Sequence, residues 1–329
     1  MSCTNLMPAL RTSTGIKILP RRSKEAEFYL PCGSCTSCRL ARASQWALRA
    51  THEMKYHDSG MFLTLTYDDS HLPSDRSLHV EDIQGFIKRL RRHISYRNSD
   101  CKIRFFYCGE YGSKFGRPHW HLLVFGFMPS DLVVHRACTH SSTGEKYNLY
   151  TSSIISKLWS KGFCTLGHLT SDSAAYTARY SLKKEKSSNL NHYNVYDPST
   201  GSVCERRPEF NVSSNGIGKQ WCLDNIVDIF TTGFIVSICG DKTIKHPIPR
   251  YYRDLCADYE PELFEYYLSD VLKAPCDPDF ERLTVRDKLV DKKISLWERP
   301  LDILTLDFDK SFLYDDPWSY FKPTPNEDL

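Results

Sequence analysis

Long apolar runs are missing from this chain. None approaches the roughly 18 residues of a membrane-spanning helix, and the longest candidate, residues 122–128 (LLVFGFM), is strand-sized. The opening MSCTNLMPALRTST has no apolar block of the secretory kind, so export is not expected. Internal repeats and low-complexity tracts are also absent, which argues against solenoids and biased tails. No G-x-x-x-x-G-K-[ST] motif occurs. Residues 216–219 (GIGK) lack both the spacing and the hydroxyl that a phosphate-cradling loop needs, and read as a tight turn. Cysteine is plentiful at 13, but an odd number at scattered spacing does not describe a secreted disulfide framework. A reducing cytoplasm is the expected compartment.

What is present is a globular composition. At 329 residues, 41% hydrophobic and 13% aromatic, the chain can bury a real core, and its length suits two domains at about 150 residues each. The net charge of +3 hides an asymmetry. Residues 1–190 hold 27 Lys and Arg against 15 Asp and Glu, a balance of +12, whereas residues 191–329 hold 16 against 25, a balance of −9. A basic front half suits a polyanionic partner; two solvated faces with chance bias are the plainer alternative.

Hydrophobic spacing predicts the elements. Residues 39–56 read as a helix, and 61–67 (MFLTLTY) as a strand between Gly60 and the turn residues Asp68-Asp69-Ser70. Val80, Ile83, Phe86, Ile87, Leu90 and Ile94 recur at helical spacing, with Lys88, Arg89, Arg91 and Arg92 on the other side. Residues 103–107 (IRFFY) and 119–127 (HWHLLVFGF) read as strands. Ser171-Asp172-Ser173 offers caps for a helix through AAYTARYSLKKEK, and residues 234–239 and 243–248 flank a turn as a hairpin. The polar, turn-rich 187–201 places a soft boundary: an N-terminal domain over 1–190 and an acidic C-terminal region over 191–329. Strands with interspersed helices make an α+β pattern.

Three pieces carry chemistry. In His119-Trp120-His121, strand geometry sends both imidazoles to one face and the indole into the core. Such pairs are often plain surface, so the pair alone is weak. Glu110, just past the strand 103–107, would be returned beside the histidines if Gly112, Gly116 and Pro118 turn the chain back. One carboxylate and two imidazoles suit a divalent ion with open positions for a substrate oxygen; Glu110 capping its loop or pairing with Arg117 is the plain alternative. Finally, Tyr176, Tyr180 and Lys183 fall at i, i+4 and i+7 of a helix, on one side. A phenol there can attack phosphorus, with Lys183 stabilising the charge that develops; a core edge with a snorkelling lysine is the competing reading.

The segments FLTLTY, CGEYGSKFGRPHWHLLVFGF and AAYTARYSLKK resemble the three ordered motifs of the HUH (His-hydrophobic-His) rolling-circle replication endonucleases. The tyrosine pair resembles their two-tyrosine class. The closest resemblance is to the replication initiation proteins of gokushoviruses, small single-stranded DNA phages. Those proteins share patterns such as PCGSCTSCR at 31–39, GIGKQW at 216–221 and PRYY at 249–252. The resemblance covers most of 31–252. It implies an HUH-like antiparallel sheet flanked by helices, with a mixed α/β C-terminal extension. It implies that His119, His121 and Glu110 are metal ligands for Mg²⁺ or Mn²⁺ and that Tyr180 and Tyr176 are nucleophiles, with Lys183 in the position of the family's lysine. Tyrosine would nick one strand of the phage replicative form at its origin, keep the 5′ end as a phosphotyrosine and leave a 3′-OH primer. The second tyrosine would cut the regenerated origin and close the displaced circle. Origin DNA, a host helicase and a host polymerase are the implied partners, without membrane or nucleotide, in the cytoplasm of a bacterial host. Lys88, Arg89, Arg91, Arg92, Arg179 and Lys184 are the expected phosphate contacts.

Cys32, Cys35 and Cys38 form C-x-x-C-x-x-C. The ferredoxin-type fourth cysteine would fall at Arg42, which disfavours an iron–sulfur cluster; zinc with a distant fourth ligand competes with a simple thiol cluster. Three other functions compete with the endonuclease. One is an oxygenase with a two-His-one-carboxylate iron site, which leaves the tyrosines unexplained. Another is a non-catalytic DNA-binding regulator with a structural metal, and the last a single-tyrosine HUH transposase or relaxase.

Overall fold

The computed structural model describes residues 3, 5–20, 23–97, 101–112, 116–139, 146–179, 193–196, 201–239 and 242–271. Three short strands open the chain: β1 (Met7–Thr12), β2 (Gly15–Ile18) and β3 (Phe28–Leu30). Then follow α1 (Thr36–Met54), β4 (Gly60–Tyr67), α2 (Val80–Arg97), β5 (Arg104–Tyr111) and β6 (Pro118–Phe125). Next are β7 (Leu132–Thr139), β8 (Lys146–Ser152), α3 (Ser153–Trp159), β9 (Gly162–His168) and α4 (Ser171–Arg179). The rest comprises β10 (Asn194–Tyr196), β11 (Val203–Glu205), β12 (Phe210–Ser213), α5 (Lys219–Asp224), α6 (Ile226–Thr232), β13 (Phe234–Cys239), β14 (Lys242–Pro247), α7 (Arg250–Tyr259), α8 (Pro261–Tyr266) and a π-helical turn, Tyr267–Val271.

Seven strands build the main sheet in the order β12-β5-β6-β4-β9-β8-β7, and every neighbouring pair is antiparallel. The fold is therefore α+β, an antiparallel sheet flanked by helices. Side-chain alternation separates two faces. On one, Met61, Leu63, Leu65 and Tyr67 of β4 and Trp120, Leu122 and Val124 of β6 pack with Ile83, Phe86, Ile87, Leu90 and Ile94 of α2. On the other, Phe62, Phe106, Leu123 and Phe125 meet Ala50 of α1, Ala174 of α4 and Ile217. Trp120 is buried as expected, its indole N–H donating to the Tyr67 hydroxyl at 3.3 Å. Small residues let the two helices lie close: Ala47 of α1 packs with Ala175 and Ala178 of α4.

Two details differ from the sequence expectation. The second strand does not stop at Tyr107 but runs to Tyr111, so Glu110 is a strand residue. The chain reverses immediately afterwards: the Gly112 N–H donates to the Arg117 carbonyl at 2.9 Å, Gly116 takes φ +60°, and Pro118 opens β6. Nor does the sheet end near residue 190, because β12 pairs with β5 from Phe210↔Gly109 to Ser213↔Phe106. A polar, turn-rich stretch marks where the chain leaves the sheet, but such a signal cannot show that a later strand comes back.

The turn expected at 216–219 is present. Gly216 and Gly218 have φ +72° and +75°, and a β-carbon on Gly218 would stand 2.5 Å from the Tyr252 hydroxyl. Arg49 and Glu53 of α1 clasp this turn, at 3.0 Å to the Ile217 carbonyl and 2.7 Å from the Gly218 N–H respectively. Beyond it, Phe230, Ile235, Tyr252 and Cys256 form a further core against Leu48 of α1. His52 is buried there, stacked on Trp221 and bonded to the Tyr252 hydroxyl at 2.8 Å. Burial and the nearby Lys55 and His246 depress its pKa to about 3. Among the described residues, no helix is long and apolar enough to cross a membrane.

Candidate metal and tyrosine site

The sheet face opposite α2 gathers the predicted residues. Register places Glu110 opposite His119 and Cys108 opposite His121 across β5 and β6, while Thr64 and Thr66 of β4 lie opposite His121 and His119 on the other side. All six point to one face, because partners in register share a face of the pleat. Glu110 and His121 are 5% and 2% exposed, and His121 Nε2 lies 2.9 Å from Glu110 Oε1. The two threonine hydroxyls occupy the other side of the rings, Thr64 Oγ1 at 3.1 Å from His121 Nδ1 and Thr66 Oγ1 at 2.9 Å from His119 Nδ1. Each imidazole therefore has its Nδ1 engaged and directs its Nε2 elsewhere.

This donor set fits a divalent ion. Two imidazole nitrogens and a carboxylate are its usual protein ligands, and hydroxyls that orient ligand imidazoles are the usual support. Two ligand atoms at about 2.1 Å from one ion, at right angles, stand about 3.0 Å apart, close to the Glu110–His121 separation. His119 is the less converged member. Its Nε2 lies where a β-carbon on Gly112 would approach to 2.8 Å. Among the described residues, only a cysteine cluster brings three or more His, Cys, Asp or Glu donor atoms within 4.8 Å of one another. Closing the triad around one ion requires the His119 ring to turn.

Tyr176 comes to the same place from α4. Thr170 and Ser173 start that helix reciprocally: the Ser173 N–H donates to Thr170 Oγ1 at 3.1 Å, and the Thr170 N–H to Ser173 Oγ at 2.8 Å. The cap is thus Thr170, one residue before the expected serines. One turn on, the Tyr176 ring stands edge-on to His121, centroids 5.8 Å apart, and edge-on to Phe62 at 5.6 Å. Tyr180, Lys183 and Lys184 lie outside the described residues, as does the side chain of Arg179.

The structure does not bring Lys88, Arg89, Arg91 and Arg92 to this site. They are exposed on α2, behind the opposite face. Arg89 Nε donates to the Leu158 carbonyl at 2.8 Å, and Arg91 lies over the Phe105 ring at 5.2 Å. Arg117 does not need Glu110 as its anchor: it donates to the Tyr67 carbonyl at 2.8 Å and to Asp69. Sequence reasoning alone misses Thr64 and Thr66. Their signal is the alternation of FLTLTY, which sets two hydroxyls at i and i+2 to match the i and i+2 histidines. Cys32, Cys35 and Cys38 are drawn together at the start of α1, joined by Cys3.

The fold and this face define a class. Residues 60–185, the span from β4 beyond α4, match the family of replication-associated proteins of the ORF2 type. The chain is 38% identical over 274 residues to replication-associated protein VP4 of Bdellovibrio phage phiMH2K, covering 81% of both. It is 34% identical over 248 residues to replication-associated protein ORF2 of Spiroplasma virus 4, covering 73% of this chain and 72% of that one. It is 32% identical over 235 residues to replication-associated protein ORF4 of Chlamydia phage 1, covering 70% of this chain but 54% of that relative's length. The chain belongs to this family of phage replication-associated proteins. No solved structure matches it.

Proposed function

We propose that this protein initiates rolling-circle replication by nicking one strand of the phage origin and later rejoining the displaced strand. The observation that carries the reading is the edge-on contact of Tyr176 with His121, whose Nε2 meets Glu110. A nucleophile and a ligand set are thereby gathered on one sheet face.

The chemistry is transesterification. The Tyr176 or Tyr180 oxygen forms a bond to the scissile phosphorus, the bond from phosphorus to the 3′ oxygen breaks, and the proton lost by the phenol is matched by the one the 3′ oxygen gains. One diester is exchanged for another, so resealing needs no nucleotide. Glu110, His119 and His121 would hold Mg²⁺ or Mn²⁺, which would act as a Lewis acid on the phosphate. Thr64 and Thr66 keep the imidazoles aimed, and Lys183 offsets charge on the phosphate or phenolate. Arg179 and Lys184 follow the tyrosines in sequence and suit the scissile strand. The α2 cations, behind the sheet, suit flanking duplex through salt-dependent phosphate contacts. With no motor motif of its own, the protein relies on a host helicase and polymerase.

The test is a denaturing gel of purified protein with a labelled origin strand and Mn²⁺ or Mg²⁺. Wild type should give an EDTA-sensitive, protein-linked band that is lost in Tyr176→Phe/Tyr180→Phe and in His119→Ala. Binding on a native gel without any adduct would overturn the reading in favour of a non-catalytic regulator. Full activity with Tyr176→Phe alone would instead assign the chemistry to a single tyrosine.

A further inference from the structure

Near its N-terminus, Cys3 and the start of the longest helix meet in a cluster of sulfur that the nicking chemistry does not use. The Sγ atoms of Cys3, Cys32, Cys35 and Cys38 all lie within 4.8 Å of one another. Cys3 Sγ is 3.6 Å from Cys32 Sγ and 3.8 Å from Cys35 Sγ. A disulfide requires about 2.05 Å, so these sulfurs are not paired. Four thiolates placed tetrahedrally at about 2.3 Å from one zinc ion stand about 3.8 Å apart. The observed separations are those of ligands around a single ion, and sulfurs this close leave no room for a cluster of several irons.

The backbone around the sulfurs is arranged for anions. The Cys32 N–H donates to Cys3 Sγ at 3.3 Å, the Asn5 N–H to the same sulfur at 3.4 Å, and the Cys35 N–H to Cys32 Sγ at 3.2 Å. Such bonds orient and stabilise metal-bound thiolates. Gly33 takes φ +70° between Cys32 and Cys35, a conformation other residues rarely adopt, and this turns both sulfurs of the C-x-x-C knuckle inward. The site also caps α1, 19 residues long, with Cys35 at its N-cap, where the helix dipole favours negative charge. Arg42 lies over the knuckle, donating to the Gly33 carbonyl at 3.3 Å.

We propose that Cys3, Cys32, Cys35 and Cys38 hold one zinc ion in a closed, structural site that anchors the N-terminal sheet to α1. Thiolate donors select zinc over the hard ions suited to the nicking site, and four of them leave no position for substrate. The site closes the loop from Cys3 through β1, β2 and β3 to the first turn of α1. That helix in turn supports α4 through Ala47 against Ala175 and Ala178, and α4 carries Tyr176. Zinc therefore stiffens the layer that presents the tyrosine, from outside the reaction.

The test uses the full chain without DNA, so its outcome is separate from that of the nicking assay. Elemental analysis of protein purified without chelator should give one zinc per chain, unchanged in Tyr176→Phe and His119→Ala and lost in Cys3→Ser and Cys35→Ser. Because those cysteine variants are themselves exposed to misfolding, wild-type protein grown with Co²⁺ provides a second readout. It should show the sulfur-to-cobalt charge-transfer band and the intense visible bands of a tetrahedral thiolate site. Zinc lost in His119→Ala but kept in Cys3→Ser would overturn the proposal. So would the colour of bound iron–sulfur, or metal-free native protein in which all four thiols react freely with a disulfide reagent.

Discussion

Replacing Thr64 by Val exchanges one hydroxyl for a methyl of nearly the same size. Thr64 and His121 are each only 2% exposed, so water cannot take the place of the hydroxyl that faces His121 Nδ1 at 3.1 Å. The role of that hydroxyl changes with loading. With Nε2–H donating to Glu110, Nδ1 accepts from the hydroxyl. With Nε2 given to a metal, the proton resides on Nδ1 and the hydroxyl must accept. A rotating O–H serves both tautomers, and a methyl serves neither. A buried ring nitrogen left unpaired costs about 1–3 kcal/mol, which at roughly 2–4 °C per kcal/mol lowers the melting temperature by about 2–10 °C. Loss of an orienting partner typically costs about 10–100-fold in metal affinity. Thr64→Val should therefore need about 10–100-fold more Mn²⁺ for half-maximal adduct formation, with a smaller loss at saturating metal. Thr64→Ser should recover most of the metal dependence. Melting curves and a Mn²⁺ titration of the covalent band measure both effects. Unchanged stability together with an unchanged Mn²⁺ midpoint would refute the orienting role.

His52 makes the chain sensitive to acid above the range where carboxylates titrate. Its folded pKa, about 3, lies below the ordinary 6.5, so its contribution is complete above pH 6.5 and is lost as pH falls towards 3. At about 1.4 kcal/mol per pH unit, stability should drop by about 2 kcal/mol between about pH 6.5 and pH 5. His246, also depressed by burial, acts in the same direction. Urea denaturation at about pH 7, 6 and 5 should show this slope flattened in His52→Gln, and an equal slope in that variant would count against it. Gly162→Ala should destabilise by about 2 kcal/mol or more, because φ is +139° and the added carbon would meet Asp68 N at 2.3 Å and Thr66 O at 2.4 Å. Gly15→Ala, at φ +133° but with nothing within 4 Å, should cost less; equal melting shifts would show that backbone collision is not what matters at Gly162. Raising salt should weaken DNA binding less in Lys88→Ala/Arg92→Ala than in wild type, read as a shallower slope of log affinity against log salt.

Much of this arrangement is legible because strands and helices write their periods into the chain. The alternation in MFLTLTY and HWHLLVF separates a core face from a polar face without any knowledge of the partner strand, and the α2 repeat shows which side is buried. What alternation cannot show is how far a strand runs. Cys-Gly-Glu reads as loop and so suggests an end for β5 at Tyr107, yet Gly109 sits between Trp120 and Leu78, where its missing side chain lets the strand continue.

Spacing along the chain thus determined that two imidazoles share a face, that Glu110 returns towards them and that Tyr176 lies on a helix nearby. Those are relations between residues on the same or adjacent elements, set by covalent geometry. Only the tertiary structure decided that Thr64 and Thr66 stand behind the histidines, that β12 returns to edge the sheet, that the α2 cations lie behind it and that Cys3 joins three cysteines far along the chain. Each of those is a pairing between distant segments, chosen by which faces can be buried together, and no local pattern encodes that choice.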